Sequence, residues 1–147
     1  MQSTHKFASP IVRPVVLLSA LVLIVGCGGK PATVSGTVTV AGKAIDQGSI
    51  TFSPVGGGMR ASGIIQSDGR YQIQTNRDIG LDVGEYEVAV VSRELIFASP
   101  DAPPMPGNYL APKRYGNTKT SGLRFSVEKG PNVIDIDLSA EGLGADR

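Results

Sequence analysis

Tryptophan is absent from these 147 residues, and cysteine and histidine occur once each. Both single residues lie close to the N-terminus, as His5 and Cys27. Little charge of either sign accumulates: net charge is +1, charged residues make up 18%, and mean hydropathy is +0.05. Such a balance gives no basic footprint for nucleic acid and no acidic tail. One cysteine leaves no disulfide framework within the chain. No apolar run reaches the roughly 20 residues that span a bilayer as a helix. Glycine and proline, by contrast, are plentiful at 19 and 10. That mixture predicts one turn-rich all-β domain rather than a helical one.

The longest apolar run is short and N-terminal. Residues 1–14 carry Lys6 and Arg13 with no acid, and VVLLSALVLIV follows at 15–25 without any charge. Eleven residues at about 1.5 Å each span roughly 16 Å, half of a ~30 Å hydrocarbon core. A basic start followed by a short apolar stretch is the pattern of a secretory signal, not of a permanent span.

That run leads into Ile24-Val25-Gly26-Cys27, which resembles the lipobox of bacterial lipoproteins. The resemblance implies cleavage between Gly26 and Cys27, a diacylglycerol thioether on the Cys27 sulfur, and acylation of the new amino terminus. Small Gly26 gives a peptidase room, and each buried methylene adds ~0.8 kcal/mol of membrane affinity. Gly28, where an aspartate would retain the protein at the inner membrane, is similar to the pattern sent to the outer membrane. The expected location is therefore the cell envelope, on the periplasmic or the surface face. Cleavage would leave twelve Lys and Arg against thirteen Asp and Glu, with no histidine and no free thiol.

The mature chain reads as a lipidated tether at 27–32, a domain at 33–139 and a flexible tail at 140–147. Period-two alternation predicts seven strands, at 33–40, 49–54, 59–66, 70–75, 84–92, 122–129 and 132–139. Ser67-Asp68-Gly69 predicts a tight hairpin, because Asp-Gly supplies positive φ readily. The last two strands are expected to form a hairpin across Gly130-Pro131. Residues 93–121, with five prolines, break the alternation and read as one long irregular loop. Seven strands with one apolar face each are buried most simply in a seven-stranded antiparallel β-sandwich.

Several stretches are similar to the carboxypeptidase regulatory-like domain, a transthyretin-like (prealbumin-like) sandwich found in small bacterial lipoproteins. They are Val34-x-Gly36-x-Val38 with Gly42-Lys43, then Asp68-Gly69-x-Tyr71, then Gly84-x-Tyr86. Val83 stands where family members often have proline. The resemblance implies a fold and little about function, because this domain is grafted onto many unrelated proteins.

Residues able to carry chemistry are few. Tyr86 and Tyr71 read as core, the former as a tyrosine corner. Asp135 and Asp137 share one face of a strand, expected to be solvated, and too few oxygens accompany them for calcium. No metal site and no catalytic residue is expected. Gly56-Gly57-Gly58 lacks the Lys-Ser or Lys-Thr of a phosphate cradle. A serine triad has no base without histidine. The 5-hydroxyisourate hydrolase, which shares the transthyretin-like fold, relies on histidines and a Tyr-Arg-Gly-Ser terminus that this chain lacks. Glu85, Glu87 and Glu94 sit on or beside one strand and suggest no glycosidase cleft.

What remains is the 95–117 loop, where Phe97, Tyr109, Lys113, Arg114 and Tyr115 gather aromatic and cationic groups. Loops of that length are usually functional or disordered. The expectation is a non-enzymatic envelope protein without cofactor other than the lipid on Cys27. Its partners would be the membrane, through that lipid, and envelope proteins, with oligomeric state left open. The alternative is a module binding glycan or wall polymer through the 95–117 loop.

Overall fold

The structure is a computed structural model that describes residues 30–144. The expected signal segment 1–26, with Gly26, lies outside the described residues, as do Cys27 and residues 28–29 of the tether and 145–147 of the tail.

Thirteen strands follow in chain order: β1 Ala32–Val40, β2 Lys43–Ala44, β3 Gly48–Pro54, β4 Ala61–Ile65, β5 Arg70–Gln72, β6 Gln74–Thr75, β7 Asp78–Ile79, β8 Gly84–Val91, β9 Arg93–Ile96, β10 Met105–Tyr109, β11 Leu123–Val127, β12 Gly130–Val133 and β13 Ile136–Leu138. A 3₁₀ turn, Lys113–Gly116, and a single helical turn, α1 Thr118–Ser121, precede β11. The architecture is all-β and sandwich-like.

One sheet is antiparallel throughout, in the order β11-β8-β3-β4-β6-β7. The other is built around β1, with β12 and β13 along one edge and β2 and β5 pairing antiparallel with it. Residues of both sheets meet in one core. Val34 and Val38 from β1 face Ile50, Phe52 and Val88 from the opposing sheet, and all five are fully buried. Each such side chain contributes about 1.5–3 kcal/mol through burial. The alternation responsible is plain in β4, whose residues are buried and exposed by turns.

Three expectations need correction. First, the final two strands do not form a hairpin. β11 pairs with β8, whereas β12 and β13 cross to the other sheet and run parallel to β1 in a single register, Ala32 to Gly130 and Val38 to Ile136. Two intervening residues, Glu128 and Lys129, suffice for a change of sheet but are indistinguishable by composition from a turn. Second, the sandwich is therefore not wholly antiparallel, and its strands are shorter and more numerous than seven. The predicted strand 70–75 serves both sheets, β5 pairing with β1 and β6 with β4. Third, residues 93–121 are not irregular: they hold the β9–β10 hairpin, the 3₁₀ turn and α1.

The break between β12 and β13 explains Gly36. There Ile134 N–H donates to Ser35 O at 2.9 Å, and Thr37 N–H donates to Asp135 Oδ1 at 2.8 Å. The Ile134 carbonyl turns to accept Tyr71 Oη–H at 2.6 Å. A Cβ on residue 36 would collide with that carbonyl, so the Val-x-Gly-x-Val pattern records a close backbone approach. Tyr71 is deeply buried, and burial first, then the nearby Asp135 charge, pushes its phenol far above the usual range. It stays a neutral donor.

The strand directions define two poles. At the near pole the chain enters the fold: Lys30 pairs with Asp82 at 2.9 Å, and Ala32 bridges Leu81. The 54–60 turn, the 75–83 segment and the β11–β12 link cluster there. At the far pole, β1 ends beside the 41–47 turn, the 92–121 segment and the residues after Leu138.

Candidate functional site

The expected binding loop occupies the far pole. β8 ends at Val91, and the chain enters β9 through Ser92, which is buried. Ser92 Oγ–H donates to Gln47 O at 2.5 Å, and Gln47 Nε2–H donates to Arg93 O at 2.7 Å. Leu110 N–H closes the other leg on Ser92 O at 2.9 Å. The hairpin is thus pinned at its root by three bonds and projects from the sandwich.

Within it, Arg93 Nε–H donates to Gly107 O at 3.0 Å, which aims the guanidinium at Tyr109. The Arg93 Cζ lies 4.4 Å from the Tyr109 ring centre, and Lys113 Nζ lies 5.1 Å from it. Each contact is worth about 0.5–1 kcal/mol where exposed. Glu94 accepts from Asn108 N–H and Nδ2–H at 3.3 and 3.1 Å. Beyond these polar clasps the hairpin is apolar and open: Leu95, Ile96, Phe97 and Met105 are all about half exposed.

Residues 110–122 do something else. β11 reaches only as far as Val88 along β8, so the rest of that edge needs cover. Ser121 Oγ–H donates to Val88 O at 2.6 Å, and Asn117 Oδ1 caps α1 by accepting Lys119 N–H at 2.9 Å. Tyr115 inserts its ring into the core and is 7% exposed. Its hydroxyl oxygen accepts from Arg114 Nη2–H at 2.7 Å and from Ser139 N–H at 3.1 Å, fastening the end of β13 to this cover. Arg114 also lies 4.7 Å over the Tyr115 ring and 3.6 Å from Glu141.

The five sequence-derived residues therefore part into three settings. Phe97 is exposed past the end of β9, Tyr109 and Lys113 meet at the hairpin root, and the exposed Arg114 latches onto the buried Tyr115. Sequence reasoning missed Gln47 and Ser92, which set the hairpin's direction. It also missed a groove of about 400 Å³ beside Tyr109, floored by Val40, Ile45, Leu110 and Leu143 with Lys43 on its wall. The volume falls within the range of small-ligand sites. Asp46 also lines it, so the groove offers an apolar floor flanked by one ammonium and one carboxylate, which suits a short apolar segment.

Elsewhere the expected roles are visible in geometry. Tyr86 Oη–H donates to Asp82 O four residues earlier, at 2.8 Å, as a tyrosine corner does. Asp135 and Asp137 are both exposed, and each accepts hydrogen bonds from β1 or the turn that follows it. Asp137 Oδ1 accepts Thr39 Oγ1–H at 2.5 Å and Gly42 N–H at 2.9 Å. These two donors, the hydroxyl foremost, hold its carboxyl below the usual carboxylate range. Among the described residues no three His, Cys, Asp or Glu side chains come together as a metal site.

No protein-family model, no curated protein and no solved structure matches the chain.

Proposed function

We propose that this chain is a non-enzymatic protein of the bacterial cell envelope, anchored by lipid on Cys27, with a transthyretin-like sandwich of the carboxypeptidase regulatory-like kind as its interaction module. The observation that carries the reading is the placement of the two poles. Chain entry at Lys30 and the open apolar hairpin lie at opposite ends of β1, whose eight steps cover roughly 26 Å. A tether at one end and an unsatisfied apolar finger at the other suit a protein that holds a partner away from its membrane. Large exposed apolar groups in one place are a common mark of protein contact.

The glycan reading draws less support from the geometry. Stacking on sugar rings needs open aromatic faces in one place; Tyr115 offers none, and the exposed Phe97 and half-buried Tyr109 lie apart, one past the end of β9 and the other at the hairpin root. A protein partner, gripped through Phe97 and its apolar neighbours, is the reading preferred.

Changing Cys27 to serine tests the anchor. The variant is expected to stay unprocessed and to lack the mass of the diacylglyceryl group; release of a normal mature form would overturn the lipoprotein reading. Photo-crosslinking from positions 97 and 109 in intact cells tests the module. A discrete protein adduct at 97 is expected, whereas adducts to polysaccharide at 109 alone would promote the alternative.

A further inference from the structure

The near pole also exposes large apolar side chains. Val55, Met59, Ile79 and Val83 are each about half exposed, and they come from the 54–60 turn and the 75–83 segment. Main-chain and side-chain bonds bring the two together. Val55 N–H donates to Glu85 O at 2.9 Å, beside Val83. Asn76 Nδ2–H reaches Met59 Sδ at 3.2 Å, and Ile79 pairs across from Gln74. Lys30, the first described residue, is tied to Asp82 in the same cluster.

The length of chain before Lys30 says what covers this pole. Cys27 stands three residues earlier, and three residues reach at most about 11 Å. A lipid on Cys27 would hold the near pole within that distance of the headgroups. We infer that the near pole rests on the lipid surface, with Val55, Met59, Ile79 and Val83 dipping among the headgroups, so that the membrane fixes the domain's orientation. This inference rests on the anchor at Cys27.

The character of the contact follows from the neighbouring charges. Arg60, Arg77 and Lys129 are set against Asp78, Glu85 and Glu128, and the Lys30–Asp82 pair is internally neutral. With no excess of either sign, attraction to anionic lipid contributes little. The contact is apolar, and its strength should change little with salt or with headgroup charge.

The absence of tryptophan makes the test direct, because one introduced indole reports alone. The full-length chain, expressed with its own leader and purified, is reconstituted in phosphatidylethanolamine–phosphatidylglycerol vesicles carrying brominated acyl chains. Val83→Trp and Ile79→Trp report on the near pole independently, so one poorly folded variant does not stall the measurement; Phe97→Trp reports on the far pole. Strong quenching at 83 and 79 with little at 97 is the expected result. Weak quenching at 83 and 79, or quenching at 97 instead, in protein whose mass shows the lipid, would overturn the contact and leave the anchor standing. An unmodified Cys27 in the mass spectrum would remove the anchor, and this inference with it.

Discussion

At the near pole, beside the Lys30–Asp82 pair and the Tyr86 bond to Asp82 O, many of the stitches are main chain to main chain. Leu81 N–H donates to Ala32 O at 2.9 Å, Gly130 N–H to Pro31 O at 2.9 Å and Gly80 N–H to Ile73 O at 2.9 Å. At the far pole, beside main-chain bonds such as Leu110 N–H to Ser92 O, side-chain contacts are prominent: Gln47 and Ser92 at the hairpin root, Arg93 and Lys113 on Tyr109, Arg114 on Tyr115. The near pole owes much of its shape to how closely backbones approach. The far pole is specified by particular side chains, so its shape can change by substitution without disturbing the sandwich. Recognition is readily varied in such a place.

The sharpest way to break this contrast is to add one methyl group at each pole. Gly80 has φ +102° and its Cβ would collide with the Ala32 carbonyl. Gly80→Ala should cost about 3 kcal/mol or more, read as a fall in the urea midpoint with an unchanged slope. At Gly107 a Cβ would meet the Ile96 side chain at 2.8 Å and Glu94 Cβ at 2.9 Å. On an exposed hairpin both can move aside, and Gly107→Ala should cost about 1 kcal/mol or less. Equal losses would show that the poles are not held differently.

Removing single polar contacts gives a smaller difference in the same direction. Tyr86→Phe deletes the bond to Asp82 O and should cost about 1–1.5 kcal/mol. Burial, and then the Asp82 charge, raises the Tyr86 phenol above its ordinary value. Its contribution is therefore complete below pH ~10 and fades above it, so the variant should also lose part of the alkaline slope of stability. Tyr109→Leu, which removes both cation contacts, should cost about 1 kcal/mol, the low end for two exposed contacts of about 0.5–1 kcal/mol each.

The smallest effect concerns the β1–β2 turn beside the far pole. The Asp137 carboxyl titrates below its unfolded value, so the stability it adds is present above pH ~4 and is lost as pH falls further. Asp137→Asn should flatten the acid limb of a stability profile by lowering stability slightly in the neutral region, where the charged carboxylate makes its bonds, while changing little at the acid end.

Alternation made the core legible. Val34, Val38, Ile50, Phe52, Tyr71, Ile73 and Val88 are inside, as period two predicts, and Asp68-Gly69 does turn, with Gly69 at φ +81°. Partnering was not legible. Ile136 and Leu138 show an inward face but not which strand lies alongside, and a parallel neighbour 98 residues away leaves no local mark. The hairpin was hidden by its prolines. Pro106 sits inside β10, where a two-stranded ribbon has an outer edge that needs no N–H. Arg93-Glu94-Leu95-Ile96 looked like a loop because its apolar residues stay exposed. The division of Tyr109 from Tyr115 was equally hidden, since both are tyrosines near a Lys-Arg pair. Only the uncovered edge of β8 calls one of them inward.

The parallel pairing of β1 with β12 and β13 has a consequence in time. A chain synthesised from its N-terminus presents β1 first and β13 last, and their contacts span nearly the whole domain. Ordering so distant a pair is slow, because loop closure precedes any gain from the contact. Until its final residues arrive, the domain has an open edge on β1 and a core that lacks Ile136 and Leu138. The last strand to appear is the one that completes the fold.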